Sequence, residues 1–485
     1  MKEQGNLLLA IVLSLLILLG FQYFFESPKI EKEVEKKKQL KQTEDSLKNN
    51  LANLEDEVVG YLELDDALNK DERIKIDAPR LQGSISLKGL KIDDLTFKDY
   101  KETLNEDDKL VTLFKPGSTK GGYFSNFGWI KASSDENFDL PNDQTVWSTN
   151  SKKITNKNSA TFSWTNNQGI QFEQEILVDE DFMFTIKQKI INNSNKDISL
   201  IPVGKISRTD TPETLGFFIL HEGPIGVVDN VLEEIDYKDL KKNIGPIEYN
   251  SKGGWFGITD KYWLATIIPD QSSNVIARYQ FYTKNNKEKY QVDFKGGIVE
   301  IPSNKSITIK NLLYAGAKEI KLLDKYEKEY SIPRLDFAID FGWYYFLTKP
   351  FLYILIFFKN ISGNFGVSII LLTLLIKLIF FPLANKSYVA MQKMKELQPQ
   401  LLRIKETYKN DKVKLNQEMM ALYKREKVNP AAGCLPIIIQ IPVFFALYKI
   451  LFVSIELYQA PFYFWIRDLS VADPTSILNL FPVEE

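Results

Sequence analysis

Three apolar runs constrain this chain more than any other feature. Leu7–Phe25 is interrupted only by Ser14, Gly20 and Gln22; Phe365–Leu383 holds a single charge, Lys377, and Ala431–Val453 again holds one, Lys449. Nineteen helical residues at about 1.5 Å each reach roughly 28 Å, the hydrocarbon thickness of a bilayer. The first run ends in Phe-Gln-Tyr-Phe-Phe-Glu26, without the small residues of a cleavage site, and reads as an uncleaved anchor over 1–25. Segments like these fold within lipid, where helices or closed barrels alone satisfy the backbone.

Between the runs the pattern changes. Residues 26–73, with Glu31-Lys-Glu-Val-Glu-Lys-Lys-Lys38 at their centre, hold little to bury and read as a solvated polar tether. From 74 to 318 the period is two, as in Ala160-Thr-Phe-Ser-Trp, Gln171-Phe-Glu-Gln-Glu-Ile-Leu-Val and Phe184-Thr-Ile-Lys-Gln-Lys-Ile-Ile. Turn signals such as Asn166-Asn-Gln-Gly and Gly253-Gly punctuate it, which predicts one large antiparallel β-sandwich. Residues 319–362 read as a charged helix followed by an interfacial helix over Leu335–Phe358, because Trp343, Tyr344 and Tyr345 suit the headgroup zone. Spanning helices are expected at 363–383 and 429–453. A helical hairpin at 384–428 is broken at Pro399 and Asn410-Asp411, and 454–485 is a loop leading into the start of another helix. The fold class is therefore a multi-domain membrane protein: an all-β external supersandwich, an α-helical transmembrane region and a cytoplasmic helical hairpin.

Charge sets the orientation. Residues 384–428 carry eleven Lys/Arg against five Asp/Glu, and short basic loops stay in the cytoplasm. The β region, within a stretch (26–340) of 44 basic and 52 acidic residues, then lies outside. The near balance of 61 Lys+Arg and 63 Asp+Glu overall argues against a nucleic-acid coat. One cysteine, Cys434, and one histidine, His221, exclude a disulfide framework within the chain and His-rich metal centres. No Walker loop, dinucleotide fingerprint or HExxH is present.

The residues that stand out are polar groups at membrane depth. Lys377 lies about 9 Å inside the end of its helix, with Thr373 one turn above it. Two readings fit: a lysine whose stem snorkels to the interface, or a wet cavity lined by Thr373 and Lys377. Gln440 sits near mid-depth of the third run, between Pro436 and Pro442, which loosen its backbone ladder. Polar groups on two helices favour a shared groove. Lys449, near the other end, reads as a snorkelling anchor. Met391, Met394, Met419 and Met420 fall in the hairpin, where flexible thioethers beside lysines give either an adaptable capture surface or packing between the two arms. His221 leaves open a second function class, a membrane-anchored carbohydrate-binding or carbohydrate-modifying protein acting through the sandwich.

Several strings together resemble a known family. Asn364-Phe-Gly-Val-Ser-Ile-Ile with Thr373, Lys377 and Phe381-Pro-Leu, then Leu397-Gln-Pro, Gln417-Glu-Met-Met-Ala-Leu-Tyr-Lys424, Val428-Asn-Pro, Gly433-Cys-Leu-Pro436, Gln440-Ile-Pro442, Ala460-Pro-Phe and Trp465-Ile-Arg-Asp-Leu-Ser470 follow one another in an order similar to the YidC/Oxa family of membrane protein insertases. Gly254-Trp-Phe-Gly-Ile and Lys261-Tyr-Trp-Leu-Ala-Thr resemble the periplasmic domain of its Gram-negative members. The resemblance implies a non-enzymatic insertase and chaperone of the bacterial inner membrane, multi-pass, needing no cofactor or metal. Its implied partners are nascent membrane proteins, the Sec translocon, the ribosome and the bilayer, with no nucleic-acid binding of its own. It further implies a hydrophilic groove open to cytoplasm and lipid, in which a positive residue attracts the polar part of a substrate; Lys377, Thr373 and Gln440 would line it. The family usually has arginine where Lys377 stands, and lysine keeps the charge without the planar fork. The external sandwich resembles sugar-mutarotase folds without their chemistry. Five spanning helices are expected after the external domain and the sequence supplies two, which reads as a C-terminal truncation.

Overall fold

Alternating side chains make the β region, and one strand pair shows how. Along Ile170–Val178 every second residue is buried, and the strand pairs antiparallel with Met183–Asn192 so that Phe172 faces Ile190 and Ile176 faces Ile186. The alternate positions pair Glu173 with Lys189 and Glu175 with Lys187, in ion pairs of 3.2 and 2.9 Å. One face is therefore apolar and the other charged, as a sheet packed on one side requires. The computed structural model describes residues 60–471 except 105–108, 134–136, 218, 430–432 and 434; the expected anchor, most of the tether and the end of the chain lie outside these.

Strands from Arg73 to Ala317 form an eleven-stranded and an eight-stranded sheet. Their pairings are antiparallel apart from a short parallel contact of Lys75 and Ile76 with Lys153 and Ile154. Fully buried Phe97, Phe162, Phe172, Phe184, Trp255 and Tyr279 belong to the shared core. A buried polar pair in the middle of the smaller sheet is satisfied internally, with Asn311 Nδ2 donating to Gln188 Oε1 at 2.7 Å. Residues 60–72, within the stretch expected to be a solvated tether, are mostly exposed but touch the sandwich at a few points. Leu62 N donates to Ser118 O, Tyr61 donates to Asp210, and Ala67 is buried within the six-residue helix Leu64–Asn69.

Five longer helices follow: α1 (Ile320–Glu329), α2 (Tyr345–Ser362), α3 (Phe365–Thr407), α4 (Lys412–Arg425) and α5 (Leu435–Val453). The aromatic helix begins later than the sequence suggests. A 3-10 turn, Leu335–Ala338, precedes it, and Phe341 is buried before the helix starts. Gly363, at φ 74°, closes α2 in the left-handed conformation that glycine adopts without strain, its N–H donating to Lys359 O. The Asn364 side chain then caps α3 by accepting from Val367 N at 3.2 Å. The larger departure is α3 itself. No break separates the span from the first hairpin arm: one helix of 43 residues runs through Pro382 and Pro399. The sequence changes from apolar to polar at Leu383, but backbone hydrogen bonds are indifferent to side-chain polarity, and each proline removes only one of them. The turn comes at Tyr408–Asp411, where Asp411 caps α4 by accepting from Val413 N and Lys414 N.

Helices α2, α3 and α5 pack through Leu355, Leu372, Ile376 and Val443. The hairpin α3/α4 has its own small core of Leu397, Leu422 and Val428. Among the described residues two helices, α3 and α5, are long and apolar enough to cross a membrane, and less than a quarter of each apolar window is buried.

Candidate functional site

Helix periodicity puts Lys377, Phe380, Ala384, Ser387 and Met391 on one face of α3, at steps of three and four. On α5, Ile437, Gln440, Ile441 and Phe444 share a face by the same spacing. These faces oppose each other across a cleft of about 530 Å³ that also borders Gly433 and Pro436. Of its lining residues, Lys377, Ser387, Tyr388 and Gln440 carry polar side-chain groups; the rest is apolar. The cleft is therefore an apolar slot with one cation and three neutral polar groups, less hydrophilic than the groove the resemblance implies.

Lys377 and Gln440 lie together on this cleft. Thr373 is not part of its lining; exposed, it donates its hydroxyl to Ile369 O of its own helix at 2.8 Å. Pro436 falls in the first turn of α5, where a missing N–H leaves no bond unmade, so Pro442 alone interrupts that ladder. The four methionines separate. Met391 lines the cleft, 3.2 Å (Cγ) from where a Cβ on Gly433 would stand. Met394 packs into the hairpin core, Met419 is half-buried, and Met420 is exposed. Sequence reasoning missed Ser387 and Gly433. Ser387 is buried and donates to Gly433 O at 3.3 Å, joining α3 to the entry of α5. Its ten-residue spacing from Lys377 was the available signal, since ten residues return a helix nearly to the same face.

The electrostatics of three helix lysines differ. Lys349 on α2 sits between Asp324 Oδ1 (2.9 Å) and Asp336 Oδ2 (2.6 Å). Lys449 on α5 pairs with Asp340 Oδ2 at 2.9 Å and donates to Ile219 O, both on the sandwich side. It is no snorkelling anchor: the carboxylate of Asp340 and a loop carbonyl replace water as its partners. Lys377 is exposed and has no hydrogen-bond or ion-pair partner among the described residues.

His221 lies outside the cleft between α3 and α5. Its buried ring donates from Nε2 to Pro224 O at 3.0 Å, and burial holds its pKa below the ordinary value, keeping the ring neutral. Burial pushes Glu456, just after α5, to about 7, and brings the buried Lys318 ammonium down to about 8.

Comparison with known proteins agrees with this layout. Residues 73–354 match the family model described as the YidC periplasmic domain, and 357–483 match that of the 60Kd inner membrane protein. The chain is 48% identical over 476 residues to the membrane protein insertase YidC of Rickettsia bellii, covering 98% of this chain and 84% of that protein. Identity to the protein of the same name from Rickettsia rickettsii (strain Iowa) is 47% over the same shares. Among solved structures, a galactose mutarotase related enzyme from Lactobacillus acidophilus matches half of this chain and 97% of its own at 9% identity, with a TM-score of 0.34. With family matches along nearly all of the described residues and close relatives over 98% of its length, the chain belongs to the YidC family of membrane protein insertases, inner-membrane proteins with a periplasmic domain.

Proposed function

We propose that the cleft between α3 and α5 is where a substrate segment is engaged during insertion, with Lys377 attracting its polar or acidic part and Gln440 and Ser387 offering hydrogen bonds. One observation carries this: Lys377 faces the cleft unpaired, while Lys349 and Lys449 on the neighbouring helices are each neutralised by carboxylates. An unpaired cation beside an apolar slot is costly in lipid and is useful when a partner arrives to neutralise it. The apolar lining accepts the hydrophobic part of the same segment. In this reading α3 and α5 cross the inner membrane, the basic hairpin 384–428 stays in the cytoplasm and the sandwich lies in the periplasm. No covalent chemistry is involved. Met391 at the cleft and Met420 on the hairpin surface form the adaptable part of the capture face; Thr373 is left as a neighbour of the site. Ribosomes and the Sec translocon are the expected suppliers of substrate.

The test is insertion of a single-span substrate with an acidic translocated tail by the wild type and by Lys377→Ala and Lys377→Arg. The alanine variant should be slower by roughly tenfold, a loss of ~1.4 kcal/mol, and the arginine variant near wild type. Normal insertion by the alanine variant would end the role assigned to this lysine.

A further inference from the structure

Past α5 the chain folds back on itself in a short loop. Leu469 N donates to Ala460 O at 3.0 Å, and Phe462 N donates to Ile466 O at 2.9 Å, which closes residues 462–466. Asp468 ties the base, its Oδ1 accepting from Gln459 N at 3.1 Å and from Ser470 N at 2.7 Å. The tip is Tyr463-Phe464-Trp465, all three exposed and Phe464 by 92%. Phe464 also holds φ 62°, a left-handed backbone that strains an aromatic residue and that asparagine adopts more easily. A firmly tied base thus presents three outward aromatic side chains.

Two contacts fix where this tip stands. Asn364 Nδ2 donates to Pro461 O at 3.1 Å, and the Phe462 ring occupies the space that a Cβ on Gly366, the second residue of α3, would need. The loop therefore lies beside the first turn of α3, on the sandwich side. Over Phe365–Leu383 that helix carries no Tyr or Trp. Its first is Tyr388, exposed and 22 residues after Gly366, or about 33 Å along the axis. A bilayer's hydrocarbon core is roughly 30 Å thick, so Tyr and Trp bracket the apolar length of α3 and are missing within it. Exposed Trp343 marks the same level at α5, because its neighbour Gly342 lies against Lys449, one turn before Val453.

We propose that the loop 462–466 seats its aromatic tip in the headgroup zone of the sandwich-side leaflet and thereby sets the depth at which α3 lies, a proposal that rests on the reading that α3 crosses the bilayer. Tyr463 and Trp465 each join an apolar body to a polar edge, which suits the boundary between acyl chains and headgroups. Phe464 adds apolar area, and Arg467, exposed two residues further on, adds a cation at the level of the lipid phosphates. A protein groove as the occupant would have no reason to match the thickness of a bilayer; lipid does. Because the loop is tied to Asn364 and Gly366, the position of the tip passes directly to α3. Lys377, eleven residues beyond Gly366, is then held about 16 Å deeper.

The experiment is tryptophan quenching in the full chain, reconstituted in phosphatidylethanolamine–phosphatidylglycerol vesicles whose acyl chains are brominated either near the headgroup or near the chain end. The signal of Trp465 is the difference between the wild type and Trp465→Phe; Leu378→Trp, at an exposed position of α3, supplies a probe at mid-depth. Shallow bromines should quench Trp465 about twofold more than deep ones, and the order should reverse for Leu378→Trp. Adding Phe464→Asn, which suits the left-handed backbone, and Trp465→Ser to the Leu378→Trp chain should change that probe's deep-to-shallow quenching ratio by about twofold. Deep bromines quenching Leu378→Trp while neither lipid quenches Trp465 would overturn the loop's assignment alone and place its tip in water or against protein. Leu378→Trp untouched by the deep bromines would overturn the span and the loop's assignment together. An unchanged ratio in the triple variant would overturn the depth-setting role.

Discussion

Replacing Glu456 with Gln should make the protein more stable at alkaline pH and leave it unchanged in acid. Glu456 lies in the turn Ile455–Leu457 after α5, and its Oε1 accepts from Ile320 N, the first residue of α1, at 3.0 Å. Its Oε2 is buried without a hydrogen-bond partner among the described residues. The positive end of α1 favours an anion here, but loss of hydration outweighs it and Glu319 adds repulsion, so the carboxyl titrates at about 7 in the folded protein instead of 4.5. The sign follows from proton counting. Below pH 4.5 both states are protonated and the residue is neutral to stability. Between 4.5 and 7 the unfolded chain releases the proton while the folded one keeps it, so stability falls as pH rises. Above 7 the penalty is complete, at ~1.36 kcal/mol for each of roughly 2.5 units, or about 3 kcal/mol. Glutamine retains the oxygen that accepts from Ile320 and places its amide where the protonated acid already holds a hydroxyl. Hydrogen exchange of amides in 315–330 would be compared in the two proteins from pH 5 to pH 8. The difference in opening free energy should grow to about 3 kcal/mol in favour of the variant. Parallel curves over that range would refute the reasoning.

Three further outcomes follow from the same packing. Lys349→Met removes the ammonium shared by Asp324 and Asp336, the latter 1% exposed, and should lower stability to denaturant by about 3 kcal/mol, with Asp336→Asn in the same chain recovering part of it. Gly257→Ala puts a Cβ 2.1 Å from Ala265 O in the paired strand, so backbone must move; a loss of at least ~2 kcal/mol should appear in urea unfolding of the sandwich. Tyr458→Ala empties a ring that packs against Tyr262 (5.0 Å) and Trp263 (5.9 Å) and deletes its hydroxyl's bond to Lys101 O; faster exchange of amides in 454–471, by ~2–4 kcal/mol of local stability, is the expected reading.

What the sequence made legible was whatever depends on side-chain pattern alone. Alternation in Gln171–Val178 and Phe184–Ile191 marks strands because a half-buried sheet has two unlike faces, and the apolar runs mark α3 and α5 because lipid has no other use for them. The face of α3 holding Lys377 follows from the same kind of counting, and Ser387 could have been added to it. Partnership was not legible. Lys449 and Asp340 are separated by 109 positions, and a lysine near a helix end reads as a snorkelling one until the segment leading into α2 brings a carboxylate to it. The continuity of α3 was hidden because hydropathy changes at Leu383 while the backbone ladder does not. Thr373 shares a face with Lys377 by its spacing of one turn; its hydroxyl donates to its own helix and it stands outside the cleft's lining.

The ion pairs also divide the walls of the insertion cleft by how they are held. Helix α5 is tied to the sandwich side through Lys449, and α2 is tied to nearly the same stretch, Asp324 to Asp336, through Lys349. Tyr353 adds a second bond from α2 to Asp324, and Tyr345 another to Asp336. For α3 the described residues give no ion pair to the sandwich; its beginning is held by Asn364 Nδ2 to Pro461 O and by Phe462 lying against Gly366. Partly buried ion pairs resist separation more than a single neutral hydrogen bond does, because parting them leaves two poorly solvated charges. The wall that carries Gln440 is thus held by an ion pair, while the wall that carries Lys377 is held by apolar packing on α2 through Leu355, Leu372 and Ile376. If a substrate segment enters the proposed cleft, these ties predict displacement of α3 before that of α2 or α5.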